Sequence, residues 1–322
     1  MKCRVCGKPA SLSLRAYNTA LCADDFIAFL EKRVLQTIRR YKLINTGERP
    51  LVAVSGGKDS LALWTILNRL GFAADGMYID LGIAEYSQTS YLKARAMADE
   101  LNRRLFRFSI PKVFGKEVAE LSRITRRPPC SLCGTVKRYA MNRVCVTEGY
   151  SVLLTGHNLD DEASALLGNI LYWKEEYLWK KDVVLEGQGS SLAKKAKPFF
   201  LCSEREVAAY ALLKGIDYVY EECPYAVGAR TLVYKNVLNQ IEEMSPATKI
   251  MFLKGYLKRL RSEPKREQAT SCIACGYPTY TEKCNFCSLM DRVGGDQRFA
   301  VDTYDPAETR MEPGETRPDN HA

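Results

Sequence analysis

The chain has 322 residues, 46% of them hydrophobic and 26% charged, which is enough for about two domains with a core that needs no disulfides. Its 47 Lys and Arg against 38 Asp and Glu leave a net charge of +9, which suits a polyanionic partner but also suits solubility alone. Only two histidines occur, His157 and His321, so a three-histidine zinc site and HExxH chemistry are excluded, and any Ser-His-Asp triad would have to be built around His157.

In chain order, residues 1–24 read as a knuckle carrying Cys3, Cys6 and Cys22. Phe26, Leu30, Val34, Ile38 and Tyr41 then recur at helical spacing, with Lys32, Arg33, Arg39 and Arg40 on the other faces. After the turn-rich stretch 45–50, strands and helices alternate. Leu51–Val54 reads as a buried strand, Ser55–Ser60 as a Gly-rich turn, and the following helix runs to Leu70. Asp75–Asp80 is a predicted strand, Ser87–Asn102 a helix, and Leu105–Ile110 a strand ended by Pro111. A helix over about Gly134–Thr147, a strand Ser151–Thr155 and a helix Asp160–Leu171 follow. Beyond a Gly/Ser/Lys-rich loop at Glu186–Lys197 come a helix Glu204–Leu213 and a strand Ile216–Tyr220. This alternation predicts an α/β fold with a doubly wound parallel sheet. Residues 231–262 read as helical and basic, Cys272–Cys287 as a second knuckle, and the polar tail from Asp302 as disordered. No apolar run approaches a membrane span and none follows Lys2-Cys3 as a secretory leader would require, so the expectation is a reducing cytoplasm, where paired cysteines bind metal.

Ser55-Gly56-Gly57-Lys58-Asp59-Ser60 lies between a strand and a helix, where backbone N–H groups and the helix dipole hold phosphate oxygens. It is not a Walker A loop, which needs GxxxxGK[ST]. Thr155-Gly156-His157-Asn158-Leu159-Asp160-Asp161-Glu162-Ala163 occupies a second strand end. Asp160 and Asp161 there could bind Mg²⁺ or accept a proton, while the plainer reading has Asn158 and Asp160 capping the helix. Cys130 and Cys133 form a CxxC ahead of a helix, and Cys223 follows a predicted strand end on the nucleotide edge. Three thiolates there could hold a [4Fe–4S] cluster with one open iron. Persulfide chemistry without a cluster is the rival, and a zinc site short of one ligand the bland alternative. Lys137 shares the helix face of Cys133. Cys272, Cys275, Cys284 and Cys287, as two CxxC pairs, are a strong zinc signal. At the N-terminus Cys3, Cys6 and Cys22 supply three ligands, and Asp25 is either the fourth or a helix cap. Cys145 and Cys202 read as ordinary buried thiols.

SGGKDS resembles the PP-loop of the ATP pyrophosphatases, and the GHN-DDEA string resembles their tRNA-modifying branch. The whole ordered set, from residue 1 to about 290, resembles the tRNA 2-thiouridine synthetases of the TtuA and cytoplasmic tRNA adenylyltransferase group. The resemblance implies a PP-loop domain over 49–230, joined to an N-terminal zinc finger (1–24) by a basic helix (25–48). A basic helical region (231–268), a C-terminal zinc finger (269–292) and a tail (302–322) follow. It implies cluster ligation by Cys130, Cys133 and Cys223, and catalytic roles for these with Lys137 and Asp161. It implies ATP binding by Ala53, Ser55, Gly56, Gly57, Lys58, Asp59, Ser60, Ile79, Lys137 and Gly156. Zinc ligation by Cys3, Cys6 and Cys22 is also implied, with Asp25 where relatives usually place His. The expected cofactors are ATP, Mg²⁺, the cluster and zinc. The expected partners are tRNA and a sulfur donor, either a ubiquitin-like thiocarboxylate carrier or sulfide, and the candidate assembly is a homodimer. In the expected reaction ATP adenylates the C2 oxygen of a uridine and sulfur then displaces AMP, giving 2-thiouridine or 5-methyl-2-thiouridine. Activation is needed because the uracil C2 carbonyl is an unreactive urea-type centre. Arg123, Arg126, Arg127, Lys194, Lys195, Lys197, Lys258, Arg259 and Arg261 are candidate tRNA phosphate contacts. The alternatives are a PP-loop enzyme that transfers nitrogen, and a non-catalytic RNA-binding zinc protein.

Overall fold

The computed structural model describes residues 1–179, 182–187, 191–221, 223–226, 230–259, 269–295 and 299–309. A hairpin of β1 (Leu12–Leu14) and β2 (Thr19–Leu21) precedes α1 (Ala23–Arg40). Then come β3 (Pro50–Val54), α2 (Lys58–Arg69), β4 (Asp75–Asp80), α3 (Ala84–Leu101) and β5 (Leu105–Ser109). Next are α4 (Ile110–Phe114), α5 (Val118–Thr125), α6 (Pro129–Thr147), β6 (Val152–Thr155), α7 (Leu159–Leu171) and α8 (Glu175–Trp179). The chain continues through β7 (Val184–Leu185), β8 (Lys194–Ala196), α9 (Glu204–Leu213), α10 (Arg230–Met244) and α11 (Thr248–Arg259). It finishes with the hairpin β9 (Thr270–Ser271) and β10 (Pro278–Thr279), then α12 (Asn285–Val293), β11 (Asp302–Tyr304) and α13 (Pro306–Thr309).

The main sheet has seven strands in the order β11-β5-β4-β3-β6-β8-β7. Its five inner strands are parallel and both edge strands run antiparallel. Alternate residues of the inner strands supply the two faces. Val52, Val54, Tyr78 and Leu154 pack toward one core with α1, whose Phe26, Leu30, Val34 and Ile38 are at most 1% exposed. Leu51, Met77, Phe106, Phe108 and Leu153 pack toward the other core, with α5, α6 and α12. From β3 the chain turns one way to β4 and later returns on the other side as β6. The β3–β6 gap is therefore the switch point at which parallel sheets open a crevice beyond their strand ends. No helix among the described residues is long and apolar enough to cross a membrane.

Four sequence expectations change. Ile216–Tyr220 is not a strand: its Val219 amide donates to the Gly56 carbonyl (3.0 Å), so the segment braces the Gly-rich turn instead of joining the sheet. The place beside β6 belongs to β8, from within the predicted loop, where Lys194-Lys195-Ala196 pair with Val152-Leu153-Leu154. Helix α6 starts at Pro129, so Cys130 and Cys133 lie in its first turns and not ahead of it; proline is tolerated there because that N–H has no helical partner. Residues 302–309 of the expected disordered tail are ordered, since β11 pairs with β5 and Phe299 stacks on Phe108 with ring centroids 5.2 Å apart. Residues 310–322, like 260–268, lie outside the described residues.

Candidate functional site

The Gly-rich turn closes on itself before α2 begins. The Ser60 hydroxyl accepts from the Ser55 amide (3.0 Å) and donates to the Gly57 carbonyl (3.0 Å), and no side chain caps the first turn of α2. Its leading N–H groups are thus left for an anion. Gly56 has φ +79°, and a Cβ there would sit 2.4 Å from the Ser90 carbonyl oxygen, so only glycine fits. A Cβ on Gly156 would fall 2.9 Å from the backbone of Asp59, which shows how tightly the two strand-end turns meet.

Beside these turns lies a cavity of about 300 Å³. Ala53, Ser55, Asp59 and Ser60 line it from β3 and the turn, and Gly156, His157 and Asp161 from the β6 end. Ile79, Met77 and Met141 give it an apolar wall, and Lys137 reaches in from α6. Of the nucleotide residues expected from sequence, Ala53, Ser55, Asp59, Ser60, Ile79, Lys137 and Gly156 line it; Gly56 and Gly57 form the turn beside it, and the Lys58 ammonium turns toward α9.

That ammonium belongs to a chain of five charges. Lys58 Nζ lies 2.8 Å from Glu204 Oε1 and 3.2 Å from Asp59 Oδ2, while Lys235 Nζ lies 2.9 Å from Glu204 Oε2 and 2.8 Å from Asp161 Oδ1. Burial alone would raise the Glu204 carboxyl, but the two ammonium groups outweigh it and bring it down to about 2. Burial likewise raises Asp59 above the usual carboxylate range, only partly offset by Lys58. Asn158 caps α7, accepting from the amides of Asp160 (3.0 Å) and Asp161 (3.1 Å), and Asp161 completes the capping box. Asp160 is buried and turned away from the cavity: it accepts from the Glu204 amide (2.7 Å) and pairs with Lys249. Neither Lys235 nor Glu204 was marked by any sequence signal, because both are brought in by helices distant along the chain.

The central cysteines lie near two residues of this cavity: Cys133 is beside Lys137, and Cys223 and Cys133 are near Tyr86. Cys130 Sγ contacts the Tyr225 carbonyl (3.1 Å), which ties the Cys223 segment to the start of α6. Burial holds the Cys133 thiol above its usual range, with Lys137 pulling the other way. Tyr86, a cavity residue, is raised by burial first and then by the charges of Cys223 and Cys133.

At the termini the ligand atoms converge. Those of Cys272, Cys275, Cys284 and Cys287, and of Cys3, Cys6, Cys22 and Asp25, lie within 4.8 Å of one another in each set. In the C-terminal set the Cys284 amide donates to Cys272 Sγ (3.3 Å), and the Cys287 amide to Cys284 Sγ (3.5 Å). Burial would raise the Cys272 thiol, yet the backbone N–H groups around it bring it down to about 6, which favours the thiolate that a metal needs. In the N-terminal set Asp25 Oδ2 lies 3.0 Å from Cys3 Sγ and 3.1 Å from Cys22 Sγ. Cys145 and Cys202 are fully buried, and burial pushes each thiol up to about 12.

The candidate phosphate contacts divide. Arg123, Arg126, Lys258 and Arg259 are exposed, while Arg127 is half-buried and donates to Ser131 and Thr135. Lys194 and Lys197 are not free surface cations, being paired with Glu48 (2.6 Å) and Glu162 (2.9 Å), and Lys195 is partly buried with its ammonium held below the usual range by that burial. These three sit in or beside β8, where the backbone packs against β6. Arg261 lies outside the described residues.

Comparison with known proteins follows the same residues. A PP-loop domain family matches residues 29–226, and the N-terminal LIM domain of the 2-thiouridine synthetase TtuA matches residues 2–27. The tRNA-5-methyluridine(54) 2-sulfurtransferase of Thermus thermophilus is 45% identical over 91% of this chain and 92% of its own. That of Pyrococcus horikoshii is 44% identical over 90% and 93%. Among solved structures, the U34-tRNA thiolase NcsA of Methanococcus maripaludis, determined with its [4Fe-4S] cluster, superposes with a TM-score of 0.79 at 26% identity, over 90% of this chain and 96% of that one.

Proposed function

Since this chain belongs to the tRNA 2-thiouridine synthetase family of PP-loop proteins, we propose that it is an ATP-dependent tRNA-uridine 2-sulfurtransferase of the cytoplasm. The observation that carries this reading is one cavity at the switch point, lined by residues of the Gly-rich turn, Lys137, Tyr86 and Asp161, with Cys133 beside Lys137, Cys223 near Tyr86, and Cys130 near Cys133. A nitrogen-transferring PP-loop enzyme would have no use for those thiols, and a non-catalytic RNA-binding protein would have no use for the intact turn. We assign the uridine to position 54 of tRNA. The support is that the relatives sharing 45% and 44% of residues are named for that position, whereas the U34 thiolase shares 26%.

In the proposed mechanism the triphosphate of ATP binds the open N–H groups of α2 with Lys58, and the adenine rests on Ala53, Met77 and Ile79. The uridine C2 oxygen attacks the α-phosphorus and pyrophosphate leaves. Asp161 would hold Mg²⁺, which would neutralise charge on the phosphates, or would take up the uridine N3 proton. Sulfur then adds at C2 and the C–O bond breaks, so that AMP departs with the oxygen. Cys130, Cys133 and Cys223 would hold a [4Fe–4S] cluster, which when bound supplies a place for sulfide beside the activated carbon. The donor set fits such a group: Cys133 is near both Cys130 and Cys223, yet among the described residues the three do not converge within 4.8 Å as the terminal sets do, and a cubane keeps its thiolates farther apart than a single zinc ion does. Lys137, between Cys133 and the cavity, holds positive charge where the departing AMP is anionic. A ubiquitin-like thiocarboxylate carrier or sulfide would deliver the sulfur.

Zinc suits both terminal sets, four thiols at the C-terminus and three thiols with a carboxylate at the N-terminus, each close-packed enough for tetrahedral coordination. A homodimer is supported by Val233, Val237, Ile241 and Met244, which leave an apolar stripe exposed along α10. The test is mass spectrometry of tRNA nucleosides from a strain lacking this protein. 5-Methyl-2-thiouridine should vanish while 5-methyluridine persists, and an unchanged thionucleoside profile would refute the assignment.

A further inference from the structure

Glu204 sits where an anionic ligand of the Gly-rich turn would be expected. Its two carboxylate oxygens are divided between two ammonium groups, Oε1 with Lys58 at 2.8 Å and Oε2 with Lys235 at 2.9 Å. Two cations spaced to meet two oxygens of one anion also suit two oxygens of a phosphate. The Glu204 backbone is fixed by its amide bond to Asp160 (2.7 Å), but its side chain is 34% exposed and borders a second cavity of about 510 Å³. The carboxylate therefore has room to swing aside without moving α9. Lys235 has no such freedom of purpose as a surface lysine: its side chain is 18% exposed, and it bonds both Glu204 and Asp161, the latter a residue of the nucleotide cavity. It also lies beyond residues 29–226, the span matched to the PP-loop domain.

On the premise that the site binds ATP, we propose that Glu204 is an internal anion holding the place of a phosphate group of the triphosphate, and that Lys235, with Lys58, is a further substrate-binding cation. When ATP enters, the phosphate takes over both ammonium groups and the Glu204 carboxylate moves into the neighbouring cavity. No bond is made or broken in this exchange. The leaving pyrophosphate then carries two lysines instead of one, and Glu204 recaptures them as it departs.

A purely architectural ion-pair chain makes the opposite forecast for one variant, and that separates the two. The full-length, anaerobically purified protein is titrated with magnesium pyrophosphate and with ATP by calorimetry, alongside Lys58→Ala as the reference for a lost phosphate contact. Lys235→Ala should weaken both ligands on the order of tenfold or more, as expected for loss of a charge-assisted contact. Glu204→Gln should tighten pyrophosphate several-fold, because the competing charge is gone. Lys235→Arg and Lys235→Gln cover the case in which alanine disturbs α10: arginine should bind nearly as wild type and glutamine as weakly as alanine. Wild-type affinity in Lys235→Gln beside a defective Lys58→Ala would overturn the inference and leave ATP binding intact. Weaker pyrophosphate binding in Glu204→Gln would also overturn it, by making the carboxylate a scaffold. A wild-type protein that binds neither ligand would overturn the ATP reading itself, and this inference with it.

Discussion

The terminal and central cysteines use one side chain in two geometries. At each end of the chain four donors lie within 4.8 Å of one another, around a short hairpin and the first turn of a helix. Among the described residues Cys130, Cys133 and Cys223 form no such group, although α6 and the Tyr225 carbonyl contact draw their segments together. A closed, compact thiolate set satisfies one ion completely and makes it structural. An open set beside residues of a cavity leaves room for a larger group and for substrate. On the proposed function, the same element in different packing would separate holding a fold from doing chemistry.

The largest effect expected from breaking this contrast is at the open set. Cys130→Ser, Cys133→Ser or Cys223→Ser should abolish thionucleoside formation and the broad absorption near roughly 400 nm of an iron–sulfur protein, whereas Cys145→Ala, deep in the core, should leave both in place. Absorption spectra and iron content of anaerobic preparations decide this, and iron-free protein that still thiolates would point to persulfide chemistry.

The next effect is at the C-terminal set. There Phe286 stacks on Tyr139 of α6 with centroids 3.8 Å apart, so losing the ion frees α12 from the helix that carries Cys130 and Cys133. Cys284→Ser should release one zinc and cost at least about 2 kcal/mol in denaturant unfolding. An unchanged unfolding midpoint would mean that the knuckle stands without metal.

A smaller effect is expected at the N-terminus, where a carboxylate replaces the usual fourth nitrogen or sulfur. Asp25→His should slow zinc loss to a chelator, and Asp25→Ala should speed it. Equal rates in all three proteins would remove Asp25 from the ligand set.

Much of the site could be read in the sequence because its parts are local. Ser55–Ser60 and Thr155–Ala163 each carry their glycines, donors and helix start in a few consecutive residues, and the structure joins them at adjacent strand ends. What escaped was assembled over distance. Glu204 and Lys235 meet Lys58 and Asp161 only because α9 and α10 fold across the turn, and a lysine in an ordinary helical stretch carries no mark of that. Strand β8 was hidden by its two lysines: Lys194 is neutralised by Glu48, and Lys195 is partly buried with its ammonium held below the usual range by that burial. Ile216–Tyr220 has the apolar character of a strand, but its partner is the Gly56 carbonyl, a tertiary contact with no periodicity to announce it.

The account stands or falls on the separation of activation from sulfur delivery. Pyrophosphate release and thionucleoside formation should be measured on the same samples of Cys223→Ser, with ATP and unmodified tRNA, against Lys58→Ala. Lys58→Ala should lose both products, while Cys223→Ser should lose the thionucleoside and keep tRNA-dependent pyrophosphate release. Complete loss of pyrophosphate release in a well-folded Cys223→Ser protein would contradict it.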